Sequence, residues 1–97
     1  MDKINLNELI NRTTDIKIGD KEIKVRDITV KQFDKMVDIE KKDDSKGQMK
    51  LIAEILSNNE EGIKFTADDV ENLTRPAVIY LWQIFIARSI DLVEDPN

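Results

Sequence analysis

The segment from residue 77 to residue 93 is the most apolar part of this 97-residue chain, and it limits the possible folds more than any other feature. At about 100° per residue, a helix over this segment has one broad apolar arc and a second, smaller one. The broad arc holds Val78, Ile79, Leu81, Trp82, Phe85, Ile86, Ile90, Leu92 and Val93. The second arc holds Ala77, Tyr80, Ile84 and Ala87. A helix that is apolar on nearly all sides is normally buried on nearly all sides, but a chain of this length has too few layers to enclose both arcs.

The second arc is therefore the predicted interface. Because exposed apolar patches of this kind usually mark interaction sites, we expect a homo-oligomer, a dimer or a ring, that uses the Tyr80 and Ile84 face. The candidate interface residues are Tyr80, Ile84, Ala77, Ala87, Arg88 and Trp82. The alternative is a monomer in which the N-terminal segment folds back over this arc through Leu6, Leu9 and Ile10.

Two of these interface residues have a second interpretation. Arg88 is the one cation deep in the apolar helix. It either snorkels at the helix surface with its stem over apolar neighbours, or pairs with a charge across a subunit or client interface. Trp82, the single tryptophan, is either a core residue or an interface anchor of the kind that dominates binding energy. The sequence leaves both pairs of alternatives open.

The composition removes most enzyme chemistry. The chain has no cysteine and no histidine, which excludes disulfides, thiolate metal sites, cysteine nucleophiles and the commonest acid/base group. The three glycines, Gly19, Gly47 and Gly62, lie too far apart for a phosphate-binding loop. The adjacent Asp43 and Asp44 lack the alternating oxygen ligands of a calcium loop. We therefore expect a non-enzymatic protein with no catalytic residue, no cofactor and no metal site.

Charge and hydropathy also limit the possible partners. Twenty acidic against 15 basic residues give a net charge of -5, which argues against nucleic-acid binding. No segment reaches the roughly 18 uninterrupted apolar residues needed to span a bilayer, and the first residues lack the pattern of a signal peptide. We expect a cytoplasmic binding or assembly module that contacts neither nucleic acid nor membrane.

Residues 15–26 predict a β-hairpin. Apolar residues alternate with charged ones on both sides of a Gly19-Asp20 turn. The apolar face holds Ile16, Ile18, Ile23 and Val25. Because a lone hairpin is marginal in water, helices must cover that face. The predicted fold is α+β: one mostly helical domain, with a small antiparallel hairpin near the N-terminus and three to five helices. We place an arm or short helix at 1–14, the domain at 15–93 and a flexible tail at 94–97.

Capping patterns locate the first long helix. Thr29 and Gln32 have the spacing of a capping box, and a helix is expected from there to about Lys41. Its apolar stripe contains Val30, Phe33, Met36 and Val37. The charged residues 40–47 that follow predict a solvated loop between helices.

Three further helices complete the prediction. One holds the apolar residues from Met49 to Leu56, one is capped by Thr66, and the last begins at Pro76, which suits a first helical position. The expected core contains Ile18, Ile23, Val25, Phe33, Val37, Ile52, Leu56, Val70, Leu73, Leu81 and Phe85.

Two stretches of the sequence resemble a known family. Lys24-Val25-Arg26-Asp27-Ile28-Thr29-Val30-Lys31-Gln32-Phe33 reads as a strand, an R-x-I-T segment and a helix start. Phe65-Thr66-Ala67-Asp68-Asp69-Val70-Glu71-Asn72-Leu73 reads as a second capped helix before the closing apolar one. Over roughly residues 15–93, this order is similar to that of the small tail assembly chaperones of long-tailed phages and prophages.

The resemblance implies a role in phage tail morphogenesis. Such chaperones coat the long helical tape measure protein, keep it soluble, recruit tail tube subunits and are absent from the finished particle. Two alternatives stay open. One is a structural phage component, such as a head–tail joining or minor tail protein. The other is a small regulator that binds a protein partner.

Overall fold

A hairpin followed by helices forms the part of the chain, residues 3–90, that the computed structural model describes. The elements are α1 (Asn7–Ile10), β1 (Thr13–Ile18), β2 (Lys21–Arg26), α2 (Val30–Lys42), α3 (Ser45–Ser57), α4 (Ala67–Glu71) and α5 (Arg75–Ile90). The predicted α+β class is confirmed. The tail expected at 94–97 lies outside the described residues, as do Leu92 and Val93 of the predicted broad arc.

The hairpin forms in the predicted place, although β1 begins at Thr13, two residues before the expected start. Its turn is Gly19-Asp20, and Gly19 has a φ of 60°. This is the conformation that glycine adopts at the first central position of a type II′ turn. The register sets Ile16 opposite Ile23, so the predicted apolar residues share one face. Ile23 is buried, while Ile16 packs against the core from a half-buried position.

The outer edge of β2 is covered by the segment that follows α3. The main-chain N–H of Arg26 donates to the carbonyl of Asn58 at 3.0 Å, and the N–H of Glu60 donates to the carbonyl of Lys24 at 3.0 Å. Between them, buried Asn59 donates its side-chain amide to the carbonyls of Leu56 and Ile63, both at 2.7 Å. Asn59 thereby satisfies main-chain groups at the end of α3 and holds the following segment against the hairpin.

The predicted apolar stripe of α2 is only partly buried: Met36 lies in the core, while Val30, Phe33 and Val37 are exposed. Phe33 and Val37 were expected in the core, but they are 37% and 36% exposed. The buried residues of α2 are Gln32 and Met36. Both ends of the buried Gln32 amide have a partner: its Oε1 accepts from the Thr29 N–H at 3.0 Å, and its Nε2 donates to the Glu54 carboxylate at 2.9 Å. The capping box was predicted correctly. Its glutamine side chain faces the interior, however, and Phe33 consequently lies on the outer side of α2.

The loop expected over 40–47 is much shorter than predicted. Only Asp43 and Asp44 separate α2 from α3. Asp43 has a left-handed φ of 53°, which ends α2. Asp44 caps α3, because its Oδ1 accepts from the Gly47 N–H at 2.9 Å. A Cβ at residue 47 would collide with the Asp44 carboxylate, so glycine permits this close approach.

Thr66 and Asp69 form the capping box that begins α4. The Thr66 hydroxyl accepts from the Asp69 N–H at 3.1 Å, and the Asp69 carboxylate accepts from the Thr66 N–H at 2.8 Å. The bond from the Thr66 main chain lowers the pKa of Asp69 below its usual value. The first-turn acidic residues of α4 thus have a structural explanation.

The core joins the inner face of the hairpin to α2, α3, α4 and α5. Of the predicted core residues, the buried ones are Ile23, Val25, Ile52, Leu56, Val70, Leu81 and Phe85. Ile18 and Leu73 are half-buried and pack against this cluster. The additional buried apolar residues are Met36, Leu51, Ala53, Ile55 and Trp82. Trp82 joins two helices, since its indole N–H donates to the Glu40 carboxylate at 2.7 Å.

Two truncations on α2 test the phase of this helix. Met36→Ala removes a side chain that is 1% exposed and should lower the free energy of unfolding by about 2–4 kcal/mol. Val30→Ala, at a position 82% exposed on the same helix, should change it by less than about 0.5 kcal/mol. Urea denaturation followed by circular dichroism measures both. Equal losses, or a larger loss for Val30→Ala, would contradict the observed phase.

Candidate interaction surfaces

The closing helix α5 buries one face and leaves apolar residues on the other. Leu81, Trp82 and Phe85 are buried. Tyr80 is 63% exposed, and Ile79 and Ile90 are exposed as well. The broad arc is therefore only partly enclosed, because Ile79 and Ile90 belong to it.

Three of the six predicted interface residues come together in one groove between β1 and α5. Ala77, Tyr80 and Ile84 form its helical wall, and residues 14–19 form the opposite wall. We call this depression the β1 groove; its volume is about 500 Å³. Leu73 and Leu81 complete its lining, so the surface is mainly apolar.

The other three predicted interface residues lie elsewhere. Trp82 is only 6% exposed, so of the two interpretations left open by the sequence, the core residue is the one observed. Ala87 is exposed but does not line the β1 groove. Arg88 lies beside the hairpin start, where it pairs with Asp27 and donates to the carbonyl of Thr13 at 3.5 Å.

The N-terminal segment does not cover the β1 groove. The predicted alternative required Leu6, Leu9 and Ile10 to pack over the second arc, but all three are exposed. Leu9 instead lines a different depression, which begins at the first turn of α2. The Tyr80 and Ile84 face is thus left open by the described residues.

This second depression was missed by sequence reasoning. It has a volume of about 400 Å³, and we call it the α2 groove. Its apolar lining is Leu9, Ile28, Val30, Phe33 and Ile90. Val30 and Phe33 were predicted to lie in the apolar stripe of α2 that faces the core, so they were not expected as surface residues. No local spacing signals this groove, because the side of α2 that faces inward is fixed by the bond from Gln32 to Glu54, 22 residues further along the chain.

A charged cluster forms the polar part of the α2 groove. Asp27 lies between two guanidinium groups: Arg12 Nε is 2.7 Å from Oδ2, and Arg88 Nε is 3.8 Å from Oδ1. Arg12 also donates to the carbonyl of Arg88 at 2.8 Å. The cluster joins the start of the hairpin, the entry to α2 and the last turn of α5. All three side chains are largely shielded from solvent, so the cluster fixes the shape of the groove.

The β1 groove and the α2 groove are the candidate interaction surfaces of the described residues. Between residues 3 and 90, no three acidic side chains come close enough to hold a metal ion. No helix within that range is long and apolar enough to cross a membrane. The sequence matches no protein-family model, and no curated protein or solved structure proves similar to it.

Removal of the central carboxylate tests the charged cluster. Asp27→Ala leaves two guanidinium groups facing each other at a shielded site, and the free energy of unfolding should fall by about 1–3 kcal/mol. Asp38→Ala is the matched control, because Asp38 pairs with Lys42 on the exposed surface of α2, where such a pair contributes about 0.5 kcal/mol or less. Urea unfolding compares the two variants. A loss for Asp27→Ala no larger than that for the control would show that the cluster adds nothing to stability.

Proposed function

We propose that this protein is a non-enzymatic tail assembly chaperone of a phage or prophage, which acts in the cytoplasm of a bacterial host. In this proposal it binds the tape measure protein and recruits tail tube subunits. The observation that carries the proposal is the α2 groove, an open apolar surface held by a rigid charged cluster. The resemblance of residues 24–33 and 65–73 to such chaperones supplies the identity of the client.

Each of the two resembling stretches contains a capping box that begins a helix. Residues 24–33 run from β2 through a capping box into α2, and residues 65–73 run through a second capping box into α4. In the first stretch, Ile28, Val30 and Phe33 line the α2 groove. The motif therefore lines the α2 groove as well as starting a helix, and this supports the proposed binding role.

The chemistry of the α2 groove suits an amphipathic helix. Val30 and Phe33 lie one turn apart on α2, and Leu9 and Ile90 extend the apolar surface on either side. A client helix that presents apolar residues at positions i, i+3, i+4 and i+7 would fill such a groove. The tape measure protein is long and helical in the family that the sequence resembles, so it offers many such segments. A coat of these chaperones would cover apolar stripes and keep the client soluble.

Electrostatics adds a second contribution to client binding. The net charge of the chain is -5, and complementary charge raises the association rate with basic segments, most strongly at low salt. Inside the groove, however, the Asp27 carboxylate already has two cationic neighbours. Specific contacts in the groove are therefore expected to be mainly apolar, while the overall charge steers the encounter.

Co-expression with the cognate tape measure protein tests this proposal. The wild-type protein should co-purify with the client and raise its soluble fraction. The double variant Val30→Glu/Phe33→Glu places two carboxylates on the apolar wall of the α2 groove and should lose most co-purification, because charge burial is costly. Circular dichroism should show that the variant is folded, since both side chains are exposed.

Lys41→Glu is the matched control for this experiment. Lys41 is exposed near the other end of α2 and does not line the groove, so this variant should bind the client like the wild type. If the wild-type protein neither co-purifies with the tape measure protein nor improves its solubility, the proposed function is wrong. Detection of the protein by mass spectrometry in purified mature particles would favour a structural component instead.

A further inference from the structure

Among residues 3–90, no strand lies beside the outer edge of β1. The main-chain N–H of Lys24 donates outward to the Glu61 carboxylate at 2.9 Å, and its carbonyl accepts from Glu60. Lys24 therefore uses its main-chain groups on the outer side of β2. Its cross-strand partner Asp15 belongs to the same non-hydrogen-bonded pair, so the N–H and carbonyl of Asp15 point away from β2 in the opposite direction.

Lys17 and Glu22 form the next non-hydrogen-bonded pair, two residues further along β1, so the main-chain groups of Lys17 also point away from β2. Within the described part of the chain, no hydrogen bond reaches the main-chain groups of Asp15 or Lys17 on the outer side of β1. The contrast with β2 is clear, because residues 58–61 cover that edge. An uncovered edge of this kind is a template for another strand.

The open edge of β1 and the β1 groove belong to one surface. The groove is lined by residues 14–19 on one side and by Ala77, Tyr80 and Ile84 on the other. A strand added to β1 would therefore bring its chain against the exposed ring of Tyr80. The unpaired main-chain groups and the apolar wall of α5 would be covered in the same event.

We propose that a second copy of this chain pairs its β1 with this edge in antiparallel orientation. The result is a four-stranded sheet in the order β2–β1–β1–β2, with a two-fold axis beside Ile16. In this register Asp15 of each copy forms a hydrogen-bonded pair with Lys17 of the other, which gives about four main-chain hydrogen bonds between the copies.

The charges on β1 favour a second copy of this chain as the partner, and they favour one register of pairing between the two β1 strands. Asp15 and Lys17 lie two residues apart on the same solvent-facing side of β1, where Asp15 pairs with Lys24 at 3.1 Å and Lys17 lies opposite Glu22 within the hairpin. Two-fold pairing about Ile16 adds a second oppositely charged neighbour to each of them, because it places Asp15 across from Lys17 twice. A shift of the two-fold axis to Asp15 or to Lys17 would place like charges in opposition, which is destabilising. A strand edge that complements its own sequence in this way fits the isologous interface of a two-fold dimer.

The apolar contacts agree with the same arrangement. On the inner face, the Ile16 side chains of the two copies meet at the axis. Each Ile18 lies opposite Thr14 of the other copy. The α5 helices then flank the joined strands, and their Tyr80 and Ile84 side chains lie near the axis. The dimer thus covers Ala77, Tyr80 and Ile84, the members of the second arc that line the β1 groove, and it does so independently of the tail assembly proposal.

Sedimentation velocity of the full chain alone, from about 5 to 200 μM, tests the dimer. The wild-type protein should form a dimer in this range. Lys17→Asp creates two pairs of opposed carboxylates and should weaken dimerisation at least about tenfold. The double charge reversal Asp15→Lys/Lys17→Asp, made together with Glu22→Lys/Lys24→Asp so that both cross-strand pairs within the hairpin stay complementary, should restore it. Glu71→Lys, an exposed charge change on α4, should leave it unchanged.

The register has its own test because the chain contains no cysteine. An equimolar mixture of Asp15→Cys and Lys17→Cys proteins should form a mixed disulfide dimer under mild oxidation, since hydrogen-bonded cross-strand pairs lie at about 5.5 Å between Cα atoms. Asp15→Cys alone should cross-link much less.

Three outcomes would overturn this inference: a wild-type monomer up to 200 μM, a dimer that the double charge reversal does not restore, or equal cross-linking of Asp15→Cys alone. All three are measured without a client protein. A failure here is therefore distinguishable from a failure of the proposed chaperone function.

Discussion

The packing of α2 against the rest of the described fold depends on the hydrogen bonds of the Gln32 side chain. Its side chain closes the capping box with Thr29 and also binds Glu54 on α3, so one amide both begins α2 and fixes its rotation against α3. Met36 is buried as a result, and Val30 and Phe33 are left on the outside. Buried polar groups need hydrogen-bond partners, and Thr29 and Glu54 supply one to each end of the Gln32 amide with α2 in this orientation.

Local patterns in the sequence predicted the hairpin, the Thr29–Gln32 capping box, the Thr66 cap and most of the core, because each depends on residues a few positions apart. The apolar alternation from Ile16 to Val25 and the Thr29–Gln32 spacing are examples. The phase of α2 could not be predicted in this way, since it depends on Glu54, 22 residues further along the chain. The charged loop between α2 and α3 was overestimated for a related reason: Asp44, read as loop, is the cap of α3.

The candidate surfaces were predictable to a smaller extent. Ala77, Tyr80 and Ile84 were found because surplus apolar residues on one helix are visible in the sequence, and the structure brings them together against β1. Arg88 was among the predicted interface residues of that face. In the structure it pairs with Asp27 instead, and the chain segment that leads into α2 brings Asp27 close to it. Neither the α2 groove nor the open edge of β1 can be read from spacing alone, because both are defined by what the remaining chain leaves uncovered.

The hydrogen bond between Trp82 and Glu40 gives the molecule an internal reporter. Trp82 is the single tryptophan, and its indole N–H is held by a carboxylate on α2 at 2.7 Å. The first turn of α2 and the end of α5 both line the α2 groove, so the two helices that carry this bond also set the width of that groove. Any occupant that moves α2 relative to α5 changes the polarity around the indole ring. Intrinsic fluorescence therefore reports the spacing of these helices in the unlabelled protein, from a position outside the groove itself.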